Sequence, residues 1–351
     1  MRATVIHGPG DIRVEDVDYP TVLRPTDVVV RVSAACVCGS DLWPYRGVRP
    51  TKEPRAIGHE FVGVVESVGA EVSALAEGDF VIAPFVGSCG KCPQCRNGVT
   101  VACDHLVSWG SVDEHGDYVQ GAQGQAVRVP QAEATLRKVD DVSLPDAGLT
   151  ASLLTLSDVM GTGHHAAVSA QAGPGRSVVV VGDGAVGLCG VLAAKRLGAE
   201  RIIAMSRHAD RQALAREFGA TDIVAERGDD GVARVRELLG GVLADSVLEC
   251  VGTKESMAQA LRSTRPGGNL GYVGVPAGGA ELPISYLFST NITVAGGMAP
   301  VHTYIPELLA DVLSGKINPG RVFDSVMPLE QAAAAYQAMD ERRAIKVLLT
   351  P

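Results

Sequence analysis

The sequence has few aromatic residues, no cluster of basic residues and no long apolar segment. Phe, Tyr and Trp make up 4% of the 351 residues, and 40 Asp and Glu outnumber 31 Lys and Arg, giving a formal net charge of −9. Nucleic acids and anionic membranes are recognised by clustered cations, so this balance argues against both as partners. A bilayer-spanning helix needs about 20 apolar residues in a row, and no stretch approaches that length.

The beginning of the chain also lacks the pattern of a secretory signal. The apolar start, Met1 to Ile6, turns polar at His7, too early for the apolar core of a signal peptide. We therefore expect a cytoplasmic protein, and 351 residues are enough for two domains. In a reducing compartment, grouped cysteines are better explained as metal ligands than as disulfides.

Four of the eight cysteines lie in one short loop, residues 89–103. They are spaced C-x2-C-x2-C-x7-C and are Cys89, Cys92, Cys95 and Cys103. Four thiolates in a loop bent by Gly and Pro are typical of a closed structural zinc site. The alternatives are four free thiols or an iron–sulfur cluster, but bacterial clusters typically end in C-x3-C-Pro, and the longer last gap here favours zinc.

A second set of candidate ligands is dispersed along the chain. Cys38 offers a thiol, His59 an imidazole and Asp158, far downstream, a carboxylate. A catalytic zinc site uses three protein ligands and keeps a fourth position for water or substrate. Asp41 is placed to hold the second ring nitrogen of His59. Ser40, two residues beyond Cys38 on what we expect to be an extended segment, would point the same way and could pass a proton.

Taken one at a time, these residues have ordinary explanations. A lone cysteine is usually a small core residue, and a lone histidine is usually a hydrogen-bonded interior one. Their occurrence together with the four-cysteine loop favours a metal site.

Residues 1 to about 155 predict mainly β-structure. Valine-rich runs at 27–32, 61–69, 79–83 and 125–129 are separated by Gly, Pro and Asp. We expect a small, partly open β-barrel whose long loops present ligands.

From residue 177 onward, strand and helix patterns alternate. The valine strand 177–181 runs into G-x-G-x-x-G and then into a helical pattern at 188–197. The motif alone is weak, and a glycine-rich turn without a ligand is the alternative. In this context it predicts a dinucleotide site, with the pyrophosphate at the helix N-terminus. The candidate residues are Gly182, Gly184, Ala185, Val186 and Gly187. Further strands predicted at 201–205, 245–249, 268–275 and 291–295 indicate a doubly wound parallel sheet of the Rossmann kind.

The end of the second strand bears on the choice of cofactor. An Asp or Glu about 20 residues past the fingerprint would bind the ribose hydroxyls of NAD. Ser206 stands there, followed by Arg207 and, one helical turn later, Arg211. Without an acid to repel a 2′-phosphate, and with arginines to bind it, this pattern predicts NADP(H). Surface arginines beside an NAD site are the alternative.

In order and spacing, these motifs resemble those of the medium-chain, zinc-dependent alcohol dehydrogenases, and in particular the bacterial NADP-dependent secondary-alcohol members. The motifs are Cys38–Asp41, Gly58–Glu60, the four-cysteine loop, Asp158 before Gly161–Gly163, and the fingerprint at Gly182. The resemblance covers the whole chain. It implies an α/β protein with a GroES-like β-barrel catalytic domain at residues 1–160, a Rossmann domain at 161–298, and a return to the first domain at 299–351.

The resemblance also implies roles for single residues. Asp158 becomes the third zinc ligand, where many members have Cys, and Glu60 resembles a glutamate that can approach the metal. Thr162 and Val275 resemble residues lining the nicotinamide, and Cys250 and Val273 are further candidate cofactor contacts. Two zinc ions per chain, an active site between the domains, and a homodimer or homotetramer are also implied.

Two positions depart from the family pattern. Gly39 stands where some members have an Arg for the pyrophosphate. Trp43 stands where many have a His that ends the proton relay, and an indole cannot take up a proton. Trp43 either narrows the substrate pocket or packs at the base of a loop.

The expected activity is hydride transfer between NADP(H) and an alcohol or the corresponding aldehyde or ketone, a small-molecule substrate. The alternatives are a polyol or amino-alcohol dehydrogenase of the threonine type, and a non-catalytic dinucleotide-binding sensor.

Overall fold

The computed structural model of the chain describes residues 1–140, 142, 145–276 and 281–351. They form two compact units. The first unit contains Met1–Asp158 and Pro300–Pro351, and the second contains Val159–Ala299. Among the described residues, none of the helices combines the length and apolar character needed to cross a membrane.

The first part of the first unit is mainly β-structure with four short helices. Its strands are β1 (Arg2–Gly8), β2 (Asp11–Asp16), β3 (Val28–Cys36), β4 (Arg55–Ala56), β5 (Phe61–Val68), β6 (Phe80–Ala83), β7 (Val86–Gly87), β8 (Val107–Ser108), β9 (Ser111–Val112), β10 (Tyr118–Val119), β11 (Ala126–Val129) and β12 (Arg137–Lys138). Its helices are α1 (Leu42–Tyr45), α2 (Pro93–Arg96), α3 (Ala132–Thr135) and α4 (Ala147–Thr155), with 3₁₀ turns at Gly39–Asp41 and Thr100–Ala102.

The second unit alternates strands and helices. Its elements are α5 (Val159–Ser169), β13 (Ser177–Val181), α6 (Ala185–Arg196), β14 (Arg201–Met205), α7 (Ala209–Glu217), β15 (Asp222–Val224), α8 (Gly228–Leu238), β16 (Ala244–Glu249), α9 (Lys254–Ser263), β17 (Thr264–Tyr272), α10 (Ile284–Thr290) and β18 (Thr293–Gly296).

The last part of the chain completes the first unit. It contains α11 (Val301–Leu313), β19 (Ser325–Pro328), α12 (Ala332–Asp340) and β20 (Val347–Thr350), with 3₁₀ turns at Pro319–Val322 and Leu329–Gln331.

A seven-stranded sheet forms the centre of the first unit. Its strand order is β12-β6-β5-β3-β20-β19, with β11 also paired to β3. The four valine-rich runs correspond to β3, β5, β6 and β11, so that prediction is confirmed. Their inward side chains, among them Val30, Phe61 and Val81, are fully buried in one core. Strand β20 pairs with β3 so that Leu348 lies opposite Cys36, and the C-terminal strand thereby reaches the start of the Cys38 segment.

The second unit is a doubly wound parallel sheet, as the sequence predicts. Six strands lie in the order β15-β14-β13-β16-β17-β18, and all neighbouring pairs are parallel. Strand β13 lies between β14 and β16, which is where the strand order reverses. In such sheets ligands bind beyond the carboxyl ends of the strands at this reversal.

Helix α5 contains two glycines, and close packing explains one of them. A Cβ on Gly163 would lie 2.5 Å from the backbone nitrogen of Gly190 in α6. On the sheet side, a Cβ on Gly271 of β17 would lie 2.1 Å from the carbonyl oxygen of Ala166 in α5. Helix α5 thus approaches both α6 and the sheet at backbone distance.

A buried network of ion pairs centred on Arg128 stabilises the first unit. Arg128, only 1% exposed, donates Nη1–H to Asp27 Oδ2 and Nη2–H to Asp113 Oδ2, both at 2.9 Å. Burial disfavours the ionised form of Asp113, but hydrogen bonds from Arg128, Asp117 and His115 outweigh this and hold its pKa below the usual 3.8. The arginine therefore connects β11 to the loop before β3 and to the loop between β9 and β10.

We expect Arg128→Met to lower the free energy of unfolding by about 3–5 kcal/mol, because it leaves two carboxylates buried without their cation. Urea unfolding followed by the fluorescence of Trp109, which lies in the same core, measures the change. The control is Arg13→Met, whose ion pair with Asp11 is exposed and should contribute nothing measurable. A loss below about 1 kcal/mol for Arg128→Met would contradict this account.

Candidate active site and cofactor-binding site

The pairing of β3 with β5 brings the first two candidate ligands together. Ala35 lies opposite Phe61 in this antiparallel pair. Cys38 leaves β3 just beyond that point, and His59 enters β5 just before it. Two residues 21 positions apart in sequence therefore meet at one end of the sheet.

The segment after Cys38 is not extended, and that expectation is wrong. Gly39–Asp41 form a 3₁₀ turn, because the Asp41 carboxylate accepts the backbone N–H of Cys38 at 3.0 Å and bends the chain. Ser40 therefore does not reach the site by strand alternation. Its Oγ nevertheless lies 3.5 Å from His59 Nε2.

Asp158 joins this pair from the end of the first unit's long N-terminal segment. The preceding residue anchors it, since Ser157 Oγ donates to the carbonyl oxygen of Phe61 at 3.1 Å. Asp158 Oδ2 lies 3.7 Å from Cys38 Sγ and 3.6 Å from His59 Nε2. Cys38, His59, Glu60 and Asp158 each place one donor atom within 4.8 Å of the others.

The second nitrogen of His59 faces a carboxylate, as the sequence suggests. Asp41 Oδ1 lies 3.3 Å from His59 Nδ1, which leaves Nε2 directed at the other ligands. Asp41 is held in turn by Gln123, whose amide donates to Asp41 Oδ2 at 3.1 Å, and Tyr336 donates to Gln123 Oε1 at 3.1 Å. Such outer contacts fix the orientation of a metal-binding imidazole.

Glu60 is fully buried and paired with a lysine from the far end of the chain. Lys346 Nζ donates to Glu60 Oε1 at 2.7 Å and to the carbonyl oxygen of Val37 at 3.3 Å. The other carboxylate oxygen, Glu60 Oε2, is buried and has no hydrogen-bond partner. It is an acceptor that a metal ion could use.

Burial and neighbouring charges shift the pKa values of Cys38, Glu60 and His59. Burial raises the pKa of the Cys38 thiol, and the charge of Glu60 adds to this. Burial also raises the pKa of Glu60, although Lys346 opposes it. Burial lowers the pKa of His59, but the charges of Asp41 and Cys38 outweigh this effect and raise the pKa well above 6.5.

These residues fit a zinc ion. Thiolate, imidazole and carboxylate are each zinc ligands, and three such protein ligands leave the fourth position of a tetrahedral site for water or substrate. Among the described residues, the site buries the carboxyl groups of Asp41, Glu60 and Asp158 with two cationic side chains, Lys346 and the imidazole of His59, whose raised pKa favours its charged form. Uncompensated buried charge is costly, and a divalent cation would balance it.

The four-cysteine loop forms the second candidate metal site. The sulfurs of Cys89, Cys92, Cys95 and Cys103 lie within 4.8 Å of one another. Backbone N–H groups already point at them: Cys103 Sγ accepts from Cys89 and from His105 at 3.3 Å. Hydrogen bonds from the backbone of Asp104 and Cys95 lower the pKa of Cys92 to about 6, whereas burial raises that of Cys103 to about 12. Four sulfurs around one point fit a closed zinc site.

The glycine fingerprint has the geometry of a phosphate-binding turn. Gly182 follows β13 with φ +120°, a conformation that favours glycine. A Cβ on Gly187 would lie 2.0 Å from the carbonyl oxygen of Gly182, so this position also requires glycine. Gly184 caps α6, and the N–H groups of Ala185, Val186 and Gly187 therefore open the helix. Such an end attracts a pyrophosphate.

Most of the remaining candidate cofactor residues lie at the same edge of the parallel sheet. Ser206 and Arg207 follow β14, Cys250 follows β16, and Val273 and Val275 follow β17. Thr162 lies in α5 and is 9% exposed. The carboxyl ends of parallel strands meet at one edge, so these loops lie together where a dinucleotide is expected to bind.

The surroundings of Ser206 differ from the expectation that Arg207 and Arg211 are both available to bind a 2′-phosphate. Ser206 is buried, and its hydroxyl donates to Asp183 Oδ2 at 2.8 Å. Arg211 is only 6% exposed, and its Nη1 lies 3.5 Å from Asp183 Oδ1. Arg207 is exposed, and Arg227 donates to the carbonyl oxygen of Met205 at 3.2 Å.

Sequence reasoning named no role for Asp183, Arg227, Gln123 or Lys346. Asp183 is the variable residue of G-x-G, and an acid at that position could have signalled proximity to a ribose. Lys346 is a single cation in the otherwise apolar run 345–349, which could have signalled a buried counter-charge. Gln123 had no such signal.

Comparison with known proteins supports the same interpretation. Residues 24–141 match the family described as the alcohol dehydrogenase GroES-like domain, and residues 185–314 match the zinc-binding dehydrogenase family. A probable zinc-binding alcohol dehydrogenase of Mycobacterium tuberculosis is 37% identical over 337 residues, covering 96% of this chain and 84% of that protein. Zinc-type alcohol dehydrogenase B of Aspergillus flavus is 32% identical, covering 99% and 81%.

A solved structure agrees over the whole length. Alcohol dehydrogenase TADH from Thermus sp. ATN1 superposes with a TM-score of 0.90 at 36% identity, covering 100% of this chain and 99% of that one. The fold is therefore the α/β combination of a GroES-like β-domain and a Rossmann domain. The chain belongs to the medium-chain, zinc-dependent alcohol dehydrogenase family.

Proposed function

We propose that this zinc-type alcohol dehydrogenase oxidises a small alcohol, or reduces the corresponding aldehyde or ketone, with NADP(H) as the preferred cofactor. The observation that carries the proposal is the convergence of Cys38, His59, Glu60 and Asp158 within 4.8 Å in a buried, negatively charged site. A purely dinucleotide-binding sensor would have no use for such a cluster.

The ligand assignment follows from the contacts. Cys38 Sγ, His59 Nε2 and an oxygen of Asp158 would hold the catalytic ion, and Cys89, Cys92, Cys95 and Cys103 the structural one. Glu60 Oε1, which Lys346 holds, lies 4.0 Å from His59 Nε2, and the buried Oε2 has no hydrogen-bond partner, so Glu60 can approach the catalytic ion. When bound, zinc would supply a Lewis acid that acidifies the alcohol hydroxyl, and the nicotinamide would accept or return the hydride.

Ser40 is the candidate to carry the hydroxyl proton. Its Oγ lies beside the ligands, 3.5 Å from His59 Nε2, close enough to contact a substrate oxygen there. Trp43 cannot take the proton further. Instead, its ring lies 5.9 Å from the guanidinium of Arg46 in a cation–π contact, which supports a packing role for Trp43.

The neighbours of the site favour an apolar substrate. Phe85 packs edge-on against the ring of His59, with ring centroids 6.5 Å apart. The phenyl ring of Phe85 offers no hydrogen-bond partner for extra hydroxyl or ammonium groups, so we favour simple alcohols over polyols and amino alcohols.

The NADP(H) preference is supported by the residues after β14. Ser206 brings no charge, Arg207 is exposed, and Arg227 lies against the carbonyl oxygen of Met205 at the end of this strand. Exposed guanidinium groups bind phosphate oxygens well. Thr162, Cys250, Val273 and Val275 are proposed to line the remainder of the cofactor.

An exposed apolar face on the second unit supports a homodimer or homotetramer. Phe288 is 87% exposed, Ile284 69% and Met298 60%, and β18 forms an edge of the parallel sheet. Exposed apolar residues beside an open strand edge are typical of a surface that a second copy covers.

We expect Cys38→Ser and Asp158→Ala each to remove one of two zinc ions per chain and to lower turnover roughly a thousandfold or more, because several kcal/mol of charge stabilisation are lost. Cys103→Ser should remove the other ion. Elemental analysis and initial rates over a panel of alcohols measure these effects. Cys189→Ala, which removes a thiol outside both groups, should retain both ions. Full zinc content and turnover in Cys38→Ser would refute the assignment.

The ratio of kcat/KM for NADPH to that for NADH should exceed one in the native protein and fall several-fold in Arg207→Ala, because one phosphate-binding cation is lost. Steady-state kinetics on zinc-replete protein measures both values. A clear preference for NADH would overturn this part of the proposal.

Phe288→Glu should shift the protein toward monomer, because a carboxylate cannot be buried unpaired in a contact between copies. Light scattering coupled to size-exclusion chromatography measures the mass. Val242→Glu, at a position 59% exposed elsewhere on the second unit, is the control and should leave the mass unchanged. A monomeric native protein would contradict the proposed assembly.

A further inference from the structure

We propose that Asp183, the middle residue of the G-x-G turn, limits the preference for NADP(H): its carboxylate binds the ribose hydroxyls and opposes a 2′-phosphate. This inference rests on the proposed cofactor site and deepens it. It supplies from a different strand the acid that is absent at Ser206.

The sheet register places Asp183 at the required corner. Strands β13 and β14 run parallel, with Val181 opposite Met205. Asp183 is two residues past the end of β13 and Ser206 one residue past the end of β14, so both emerge at the same edge. Ser206 Oγ donates to Asp183 Oδ2 at 2.8 Å, which holds the carboxylate over the end of β14.

The hydroxyl of Ser206 is committed to this contact. Ser206 is fully buried, and a hydroxyl has one hydrogen to donate. The group presented to a ribose is therefore the Asp183 carboxylate, whose side chain keeps 14% of its surface exposed. A carboxylate with free lone pairs can accept hydrogen bonds from vicinal ribose hydroxyls, as the strand-end acid of NAD sites does.

The Asp183 carboxylate also reduces the attraction of Arg211 for a phosphate group. The Arg211 guanidinium lies 3.5 Å from Asp183 Oδ1 and donates to the Asp183 carbonyl oxygen at 3.2 Å. A cation already paired with an acid attracts a phosphate less than an unpaired one. Arg211 thus supports Asp183, and phosphate binding is left mainly to Arg207 and Arg227.

Asp183 therefore weakens the binding of a 2′-phosphate beside the basic residues that follow β14 and β15. A 2′-phosphate would meet Arg207 and Arg227, which attract it, and Asp183, which repels it. A like charge a few ångströms away changes affinity by about tenfold or more, because it acts at the partly buried edge of the sheet. The selectivity of this corner is set by the balance of these charges.

The test compares Asp183→Asn with the native full-length, zinc-replete protein. Asn keeps the size of Asp and one acceptor oxygen, which Ser206 can still bond, but removes the charge and replaces the second acceptor by an NH2 donor. Isothermal titration calorimetry gives Kd for two probes, 2′,5′-ADP and 5′-AMP, which differ only in the 2′-phosphate and undergo no hydride chemistry. We expect 2′,5′-ADP to bind about tenfold more tightly in the variant and 5′-AMP to bind several-fold more weakly.

The opposite directions of these shifts separate a selectivity role from a structural one. If Asp183 only stabilised the turn, both probes would weaken together, and that result would overturn the proposal. Asp210→Asn removes the same charge from an exposed position on the first turn of α7 and should change either Kd by less than about twofold. If Asp183→Asn does not fold, Asp183→Ser, which can still bond to Ser206, should show the same opposite shifts.

Failure of the cofactor site itself would look different. If neither probe binds the native protein, the proposed nucleotide site is wrong, and the Asp183 assignment fails with it. If both bind natively and their ratio is unchanged in Asp183→Asn, only the Asp183 assignment fails.

Discussion

The structure depends on how the first unit compensates a concentration of buried negative charge. Asp41, Glu60, Asp158 and the Cys38 thiol converge around the imidazole of His59, whose raised pKa favours its charged form, and Lys346 is paired with Glu60. Burying carboxylates without equal positive charge costs several kcal/mol per group. A divalent cation held by Cys38, His59 and Asp158 resolves this imbalance. The same residues, placed for any other purpose, would be a liability, and this makes a metal-dependent function the most economical explanation.

The two folding patterns serve this chemistry in different ways. In the first unit, antiparallel register does the positioning: β3 and β5 bring Cys38 to His59, and β20 brings Lys346 to Glu60. In the second unit, parallel strands deliver their loops to one edge, where the glycine turn and the residues after β14 can meet a dinucleotide. Each unit therefore contributes a site that its own topology assembles from residues far apart in the sequence.

The sequence was informative where chemistry is carried by short motifs and less so where contacts join distant segments. The spacing of Cys89 to Cys103 and the fingerprint at Gly182 are local, so both sites could be predicted, as could the main strands. The conformation at Ser40 was predicted wrongly, because a side chain-to-backbone bond from Asp41 bends the segment. Asp183 and Lys346 were missed because their partners, Ser206 and Glu60, lie 23 and 286 residues away, at distances that only the folded chain brings within bonding range.

The central claim is that Cys38 supplies the one thiolate of a zinc site otherwise made of nitrogen and oxygen. Zinc-edge X-ray absorption on metal-replete protein tests it directly, since sulfur lies near 2.3 Å and nitrogen or oxygen near 2.0–2.2 Å from zinc, as is usual for such sites. Five cysteines shared between two ions predict an average of two and a half sulfurs per zinc. An average of two sulfurs with both ions bound would show that Cys38 is not a ligand and would contradict the account.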